Sequence, residues 1–560
     1  MVGVLFLALA LVAQGAQGPT PGAPAGTPAG SRDAKATAVL RGRILSAESG
    51  KPLRRAQVSV RAPELPQGRS TSTNVDGVYV IRELPPGRYT VSVMRSGFLP
   101  TQYGQRRPGE PSRPLVVGEG QVLDRVDFVL QRAGVVSGRI VDEMGEPIAG
   151  VSVWPMQTQF FRGRRRLVPI SSQGVTDDTG QYRLLGVPPG DYLLMATTFE
   201  TWKTGGEKKE VLGYAPSFYP GVAGAGDAQR VRVGSGQQRT GIDFSVQPLR
   251  AATLSGTAVS SEGTPLAGVS ISVSQEFAGP NFWSSMGFPG AKVAADGSWT
   301  IRDVAPGEYV LEIRESATAT RDKPAETAFL PLIVQGVDLS GIALVTEPPG
   351  TLAGQVVTDD GGALPGNVRL RVSAQSALPD RRPSFSDGDN GVVASDGTFV
   401  LSGIVGPSII GFESLPPGWA IRSIDVNGSE HVHTSLTIRG GRRFDGARIV
   451  LTKRFPAVSG VILDEKGQPA DGAVVLFVTD SSTWLEAAGT ARTVRPDQAG
   501  NYRFDAVRPG EYFIVALASV QQWQIADPEF LEELRAHARR VTLNEREMEV
   551  INLKVAEPSR

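Results

Sequence analysis

The sequence contains no cysteine and only three histidines among its 560 residues. The absence of cysteine excludes thiolate nucleophiles, thiolate metal sites, disulfide bonds and a lipid anchor on an N-terminal cysteine. Charge of either sign is not in excess, because 57 basic residues balance 57 acidic ones, so no global field attracts nucleic acid or an anionic membrane. We therefore expect a protein that is not an enzyme and has no cofactor and no nucleic-acid partner.

Long hydrophobic runs are also scarce. The run Val2–Val12 is long enough for the apolar region of a signal peptide and too short to span a bilayer. Small residues at Ala13 and Gly15 predict cleavage after Gly15, with a buried strand or helix as the alternative interpretation. The following Pro/Gly/Ala/Thr-rich stretch predicts a flexible linker. We expect export to the periplasm, cell surface or exterior, with no transmembrane segment.

What the chain does contain is a repeat. A glycine followed two residues later by an aromatic residue recurs at intervals of roughly 100 residues, which is the size of a small domain. The pairs are Gly77/Tyr79, Gly180/Tyr182, Gly297/Trp299, Gly397/Phe399 and Gly500/Tyr502. Another glycine opens each copy: Gly42, Gly138, Gly256, Gly354 and Gly460. Such fixed-period similarity predicts tandem structural units.

The repeat defines the expected domain boundaries. They are a signal peptide at 1–15, a linker at 16–36, and five units at 37–132, 133–249, 250–347, 348–454 (divergent) and 455–560.

Each unit has the pattern of an all-β domain. The 66 glycines and 41 prolines supply turns between short alternating apolar segments. The Asp76-Gly77 turn predicts a hairpin that places Tyr79 and Ile81 on one core-facing side. We therefore expect five tandem seven-stranded antiparallel β-sandwich domains.

One set of motifs resembles a known family. It consists of Gly138-Arg139-Ile140, then Gly145-Glu146-Pro147-Ile148-Ala149-Gly150-Val151, then Asp177 to Tyr182 and Val187-Pro188-Pro189-Gly190-Asp191-Tyr192. This pattern is similar to the carboxypeptidase regulatory-like domain, here in a bacterial secreted protein. The resemblance covers nearly all of 36–555 and is weaker in the fourth copy. It implies a prealbumin-like sandwich, grouped with starch-binding-domain-like folds, and an accessory, non-catalytic module.

The last unit departs from the repeat. Asp527, Pro528 and Glu529 form the N-terminal signature of a helix, and Phe530, Leu531, Leu534 and Ala538 share one face of it. We expect a short helix that covers one end of the terminal sandwich.

Residues with the spacing of a catalytic or metal site are missing. None of His431, His433 and His537 has the glutamate three residues on that a metallocarboxypeptidase needs. His431 and His433 share a face if their segment is a strand, which leaves a solvated strand face or a two-nitrogen site open. We expect no metal.

Aromatic residues on the variable loops are the candidate binding site. Exposed rings stack on sugar faces or anchor protein partners, whereas rings that fold back over their own sandwich would be structural. The candidates are Phe160, Phe161, Phe282, Trp283, Phe288 and Trp484. Beside the first two, Arg162, Arg164, Arg165 and Arg166 indicate either a solvated loop or a patch for an anionic ligand.

These features favour an exported, non-catalytic binding or scaffold protein of the cell envelope or exterior. Its expected partner is a polysaccharide or cell-surface glycan, held by the aromatic loops, or else an envelope protein. The alternatives are a structural spacer or protein–protein adhesion module, and an accessory part of a peptidase or glycosidase.

Overall fold

A computed structural model gives the structure of most of the chain. It describes residues 37–161, 164–171, 173–205, 210–279, 282–314, 325–365, 369–377, 390–416, 418–432, 434–438, 440–484, 491–545 and 548–556. The predicted signal peptide and linker lie outside these residues. The chain folds as tandem β-sandwich domains with one short α-helix near the C-terminus. Separate hydrophobic cores lie within residues 38–130, 136–246, 252–344, 352–451 and 458–553. We number these domains 1 to 5.

Domain 1 contains β1 (Ala38–Ser46), β2 (Gln57–Ala62), β3 (Leu65–Ser72), β4 (Val78–Leu84), β5 (Gly87–Met94), β6 (Thr101–Gln102), β7 (Leu115–Val117), β8 (Val122–Leu123) and β9 (Phe128–Leu130). One sheet has the order β4–β1–β8, with β9 also paired to β1. The other has the order β3–β2–β5–β6, with β7 also paired to β5.

Domain 2 contains β10 (Gly134–Val141), β11 (Ser152–Phe161), β12 (Arg164–Pro169), β13 (Gly174–Val175), β14 (Gln181–Val187), β15 (Gly190–Thr197), β16 (Thr201–Lys203), β17 (Val211–Tyr214), β18 (Ser217–Phe218), β19 (Val231–Val233), β20 (Gln238–Arg239), β21 (Phe244–Ser245) and β22 (Pro248–Arg250). Its main sheets have the orders β14–β10–β20 and β12–β11–β15–β18, and β16–β17–β22 forms a third.

Domain 3 contains β23 (Ala252–Val259), β24 (Ser270–Gly279), β25 (Phe282–Lys292), β26 (Ser298–Val304), β27 (Gly307–Arg314), β28 (Thr327–Val334) and β29 (Leu339–Val345). Domain 4 contains β30 (Gly350–Thr358), β31 (Val372–Ser376), β32 (Thr398–Ile404), β33 (Gly406–Phe412), β34 (Ala420–Val426), β35 (Ser429–Glu430), β36 (Leu436–Ile438) and β37 (Arg443–Thr452). The sheets are β26–β23–β29 and β25–β24–β27–β28 in domain 3, and β32–β30–β37–β34–β35 and β31–β33–β36 in domain 4.

Domain 5 contains β38 (Ala457–Leu463), β39 (Ala473–Val478), β40 (Ala491–Val494), β41 (Asn501–Phe504), β42 (Gly510–Leu517), α1 (Pro528–Arg535), β43 (Arg539–Leu543), β44 (Met548–Val550) and β45 (Leu553–Ala556). Short 3₁₀ turns lie at Ser481–Thr483 and Gln524–Ala526. Strand β45 pairs with both β38 and β42, so the two sheets of this domain join into one continuous sheet.

The two glycine-based anchors of the repeat meet across one strand pair in every domain. Gly42 lies opposite Tyr79 in domain 1, and Gly138 lies opposite Tyr182 in domain 2. The corresponding pairs in the other domains are Gly256–Trp299, Gly354–Phe399 and Gly460–Tyr502. The repeat in the sequence therefore arises from a contact between the first strand and the hairpin strand that is present in each sandwich.

A close backbone approach explains why the opening residue is glycine. A Cβ atom on Gly138 would collide with the carbonyl oxygen of Ile242, which lies just before the closing strand β21. The hydroxyl of Tyr182 donates to that same oxygen at 2.7 Å. The contact recurs at Gly42 and Tyr79 on Val126 and at Gly460 and Tyr502 on Ile551. In each of these domains, the carbonyl before the closing strand accepts a hydrogen bond from the tyrosine hydroxyl. It also lies so close to the opening residue that only glycine, which has no Cβ atom, fits there.

Each sandwich contains parallel strand pairing, which the expectation of antiparallel sheets did not include. The first strand β1 runs parallel to the closing strands β8 and β9, and the same holds for β23 with β29 and β30 with β37. The first and last strands can run in the same direction because the strands between them, including those of the second sheet, form a long crossover.

The helix of domain 5 begins where the sequence predicts. The Asp527 side chain accepts a hydrogen bond from the backbone N–H of Glu529 at 3.1 Å, and Pro528 is the first helical residue. Leu531 and Leu534 of α1 pack with Phe477 and Trp484 in a second core on the outer face of the domain 5 sheet. The helix therefore covers a sheet face, and it lies before the last three strands of the domain.

We expect domain 5 to fold when it is separated from the rest of the chain, because it encloses two hydrophobic cores of its own. Calorimetry of the fragment 456–560 should show a single cooperative unfolding transition. A fragment without such a transition would contradict the assignment of domain 5 as an independent domain.

Candidate functional site

Two of the predicted carbohydrate-binding aromatic residues are buried. Phe160 is 8% exposed in strand β11, and Trp484 is 6% exposed. The Trp484 indole donates to the carbonyl of Val478 at 2.9 Å, and its ring packs edge-on against Phe477. The expectation that these rings are exposed on loops is wrong, because Phe160 is part of strand β11 and Trp484 packs with Leu531 and Leu534 of α1. A buried ring presents no face to a sugar.

The other four candidates lie in the strands of two hairpins, where Phe161, Phe282 and Trp283 are close to a tip and Phe288 pairs with Val273. Strand β25 begins at Phe282 and includes Trp283 and Phe288, and Phe161 ends β11. The side chains of all four lie outside the described residues. The β24–β25 hairpin pairs as far as Gly279 and Phe282, whereas β24 pairs with β27 only over Ile271–Ser274. The backbone of this hairpin therefore continues past its pairing with the domain 3 sheet.

The described residues contain no group of three histidine, aspartate or glutamate side chains that could hold a metal ion. His431 follows the β34–β35 hairpin, and His433 lies outside the described residues, so their juxtaposition stays a prediction. Within the same part of the chain, no helix has the length and apolar character of a membrane span.

The arginine-rich segment of domain 2 binds domain 5. The Arg165 guanidinium lies 3.0 Å from the Asp527 carboxylate and 2.6 Å from that of Glu529. Asp527 is the N-cap of α1, and Glu529 lies in its first turn. Arg162 lies outside the described residues. Arg165 is thus a half-exposed residue of strand β12 whose guanidinium is already paired with two carboxylates, and it connects two domains that are distant in sequence.

A second contact joins domain 5 to domain 1, and it is buried. The Arg495 guanidinium lies 3.1 Å from the Glu110 carboxylate, and both side chains are only 2% exposed. Arg495 also donates to Asp471 at 2.9 Å. Asp471 in turn pairs with Arg113 and Arg106 of domain 1. We call these five side chains the docking cluster. Because they lie at both ends of the repeat array, the last domain folds back onto the first.

The docking cluster predicts a pH dependence for the contact between domains 1 and 5. Burial alone would raise the pKa of Asp471, but hydrogen bonds and charges from Arg495 and Arg113 hold this pKa below its usual value of 3.8. Arg495 belongs to the same domain as Asp471, so the part of this effect that Arg113 contributes is the part that depends on docking. Because the pKa is lowered, that stabilisation is complete above the ordinary value and is lost as the pH falls through the lower one. The radius of gyration from X-ray scattering should therefore stay constant from pH 7 to about pH 4 and rise below it.

The matched variant for this test is Asp471→Asn, which cannot titrate. Its radius of gyration should show a weaker dependence on pH over the same interval. An identical acid-induced expansion in the variant would mean that other carboxylates control the contact.

Sequence reasoning missed the docking cluster. Glu110 and Arg495 are 385 positions apart, and no local pattern marks either residue as buried. Charged residues are normally exposed, so a single sequence offers no signal that two of them form a buried pair.

Residues 39–131 and 135–247 match the family model of the carboxypeptidase regulatory-like domain. These two segments coincide with domains 1 and 2, and the match confirms the resemblance inferred from their motifs. No curated protein matches the chain.

Several solved structures resemble the chain at low identity. The TIE protein of Bacillus anthracis is 11% identical, with 75% of this chain and 73% of that chain covered and a TM-score of 0.15. The minor pilin of Streptococcus agalactiae is 12% identical, with coverage of 38% and 97% and a TM-score of 0.22. The RrgB pilus protein of Streptococcus pneumoniae is 9% identical, with coverage of 94% and 100% and a TM-score of 0.15. At these TM-scores, the similarity to these structures does not indicate the function of this chain.

Proposed function

We propose that the protein is an exported, non-catalytic scaffold of the cell envelope or exterior that binds polysaccharide. The observation that carries this proposal is the return of domain 5 to domains 1 and 2 through Arg165 and the docking cluster. A spacer uses its domains to hold two ends apart, whereas here the two ends of the array are in contact. A fixed arrangement of domains suits a binding surface, because little conformational entropy is lost when a partner binds.

The domain 3 hairpin supports a carbohydrate as the partner. Its sequence places Phe282 and Trp283 on the part of the hairpin that extends past the pairing with β27, whereas Phe288 lies opposite Val273 within the paired part. Aromatic rings combine a large apolar face with an edge that tolerates water, which suits the alternating apolar and hydroxyl-bearing surfaces of a sugar. Protein–protein adhesion through the same rings is the alternative.

Trp283→Ala is expected to weaken the retardation of the protein in affinity electrophoresis through polysaccharide gels. Loss of one stacking ring should raise the dissociation constant about tenfold, which corresponds to about 1.4 kcal/mol. Thermal stability should change little if the ring lies outside the domain 3 core.

Trp419→Ala is the matched control, because Trp419 is a partly exposed tryptophan of domain 4 beneath the Lys453 ammonium. This variant should keep the retardation of the parent protein. If the parent protein is not retarded by any polysaccharide, the carbohydrate proposal fails and the adhesion alternative remains.

A further inference from the structure

A cleft of about 740 Å³ opens where domains 1, 2 and 5 meet. Its size falls within the range of about 300–1,000 Å³ that is typical of small-ligand sites. Domain 1 contributes the loop around Gly109, domain 2 contributes strand β11 and the turn at Pro188–Gly190, and domain 5 contributes the segment before α1. The cleft is therefore a product of domain docking, and no single domain contains it.

The cleft lining is unusual in its content of carboxamide side chains. The residues that define this amide cleft are Gln131 of domain 1, Gln157 and Gln159 of domain 2, and Gln521, Gln522 and Trp523 of domain 5. Gln159 is only 8% exposed, and the Trp523 indole donates to the Gln521 side-chain carbonyl at 2.5 Å. This hydrogen bond orients both the indole ring and the Gln521 amide within the lining.

The chemistry of the lining selects the class of ligand. Each glutamine offers a carbonyl acceptor and two N–H donors in one plane, which matches neighbouring hydroxyl groups that both donate and accept. The indole of Trp523 supplies an apolar face for stacking. Charged lining residues are few and of both signs, namely Arg107, Arg232 and Asp191. This composition favours a polyhydroxylated, uncharged molecule over a phosphate or sulfate ester.

We propose that the amide cleft binds a neutral oligosaccharide. This inference rests on the proposed carbohydrate-binding function and assigns it a site that differs from the domain 3 hairpin. The ligand lies between the domains, so its binding depends on the contacts that hold domain 5 in place. The Gln522 backbone N–H donates to the carbonyl of Gly109 at 3.3 Å, which joins domain 5 to domain 1, and Arg165 of domain 2 binds the beginning of α1.

Isothermal titration calorimetry of the full chain with neutral hexasaccharides (maltohexaose, cellohexaose, chitohexaose and xylohexaose) tests the proposal. Trp523→Ala should raise the dissociation constant for the hexasaccharide that binds by tenfold or more. Gln522→Ala removes one exposed amide and should raise it about threefold while the melting temperature stays unchanged. Gln181→Ala is the control, because Gln181 is an exposed glutamine of domain 2 outside the cleft. This variant should bind as the parent does.

The outcomes separate this inference from the proposed function. Binding that is lost in Trp283→Ala but unchanged in both cleft variants would overturn the amide cleft and leave the hairpin site standing. Binding of a sulfated hexasaccharide alone would overturn the neutral class of ligand. A parent protein that binds no hexasaccharide and is not retarded by any polysaccharide would overturn both proposals. Weakened binding in both cleft variants, with the Gln181→Ala control unchanged, would support the site.

Discussion

Replacing Tyr182 by alanine is expected to lower the free energy of unfolding of domain 2 by about 3–5 kcal/mol. The side chain is 2% exposed, and its ring packs edge-on against Phe244. Its hydroxyl donates to the Ile242 carbonyl at 2.7 Å, so the substitution removes both a large apolar group and a buried hydrogen bond. Calorimetry of the full chain should show the transition of domain 2 moving to a lower temperature while the other transitions stay in place.

Tyr182→Phe separates the two contributions. This variant keeps the ring and removes only the hydroxyl, so the loss should be about 0.5–1.5 kcal/mol. The protein itself contains this substitution in another copy, because Phe399 of domain 4 lies opposite Gly354 just as Tyr182 lies opposite Gly138. An unchanged melting temperature in Tyr182→Ala would mean that the ring does not contribute to the core.

Replacing Arg495 by methionine is expected to weaken the docking of domain 5 on domain 1 by about 3–5 kcal/mol. In the docked state, this variant leaves the Glu110 carboxylate buried without a cationic partner. The free-energy cost of an unpaired buried charge is larger than the net stabilisation that the ion pair provides. Domain 5 should then separate from domain 1 and keep its own fold. X-ray scattering should detect this change as an increase in the radius of gyration.

Two further variants make this test decisive. Arg503→Met removes an arginine from the exposed pair with Asp505 in the same domain, and it should change the docking by about 0–1 kcal/mol. The double variant Glu110→Gln/Arg495→Met removes both buried charges, so it should recover much of the docking that Arg495→Met loses. If Arg495→Met keeps the dimensions of the parent protein, the docking cluster does not hold the two domains together.

The sequence predicts the fold of each domain better than it predicts the contacts between domains. The glycine and aromatic anchors can be recognised in the sequence because every domain contains the same contact between them. The contact therefore produces the same residue pattern in each copy, and this repetition can be detected in a single chain. The capping pattern at Asp527 is local and therefore predicts where α1 begins. The parallel pairing of the first and closing strands is harder to infer, since nearly a whole domain of chain separates the partners.

The errors at the candidate site have a common physical cause. Trp484 lies between strands without the alternation of a core residue, and the sequence does not show that α1 packs over it. Arg165 belongs to a run of arginines that is typical of a solvated surface, and its partners Asp527 and Glu529 come from another domain. In both cases, an element distant in sequence determines the environment of the side chain.

The contact between domains 1 and 5 also affects how the protein is made. Glu110 and Arg495 are separated by 385 residues, so at about 5–20 residues per second the ribosome needs roughly 20–80 s to produce Arg495 after Glu110. For most of that interval, domain 1 is complete, but domain 5 is not yet present to cover the surface around Glu110 and Arg113. Polar groups suit such a surface, because an apolar patch exposed for the same time would attract other unfinished chains. Because the docking cluster is charged, the surface of domain 1 can remain exposed until domain 5 has been synthesised, and it does not promote aggregation of the nascent chain.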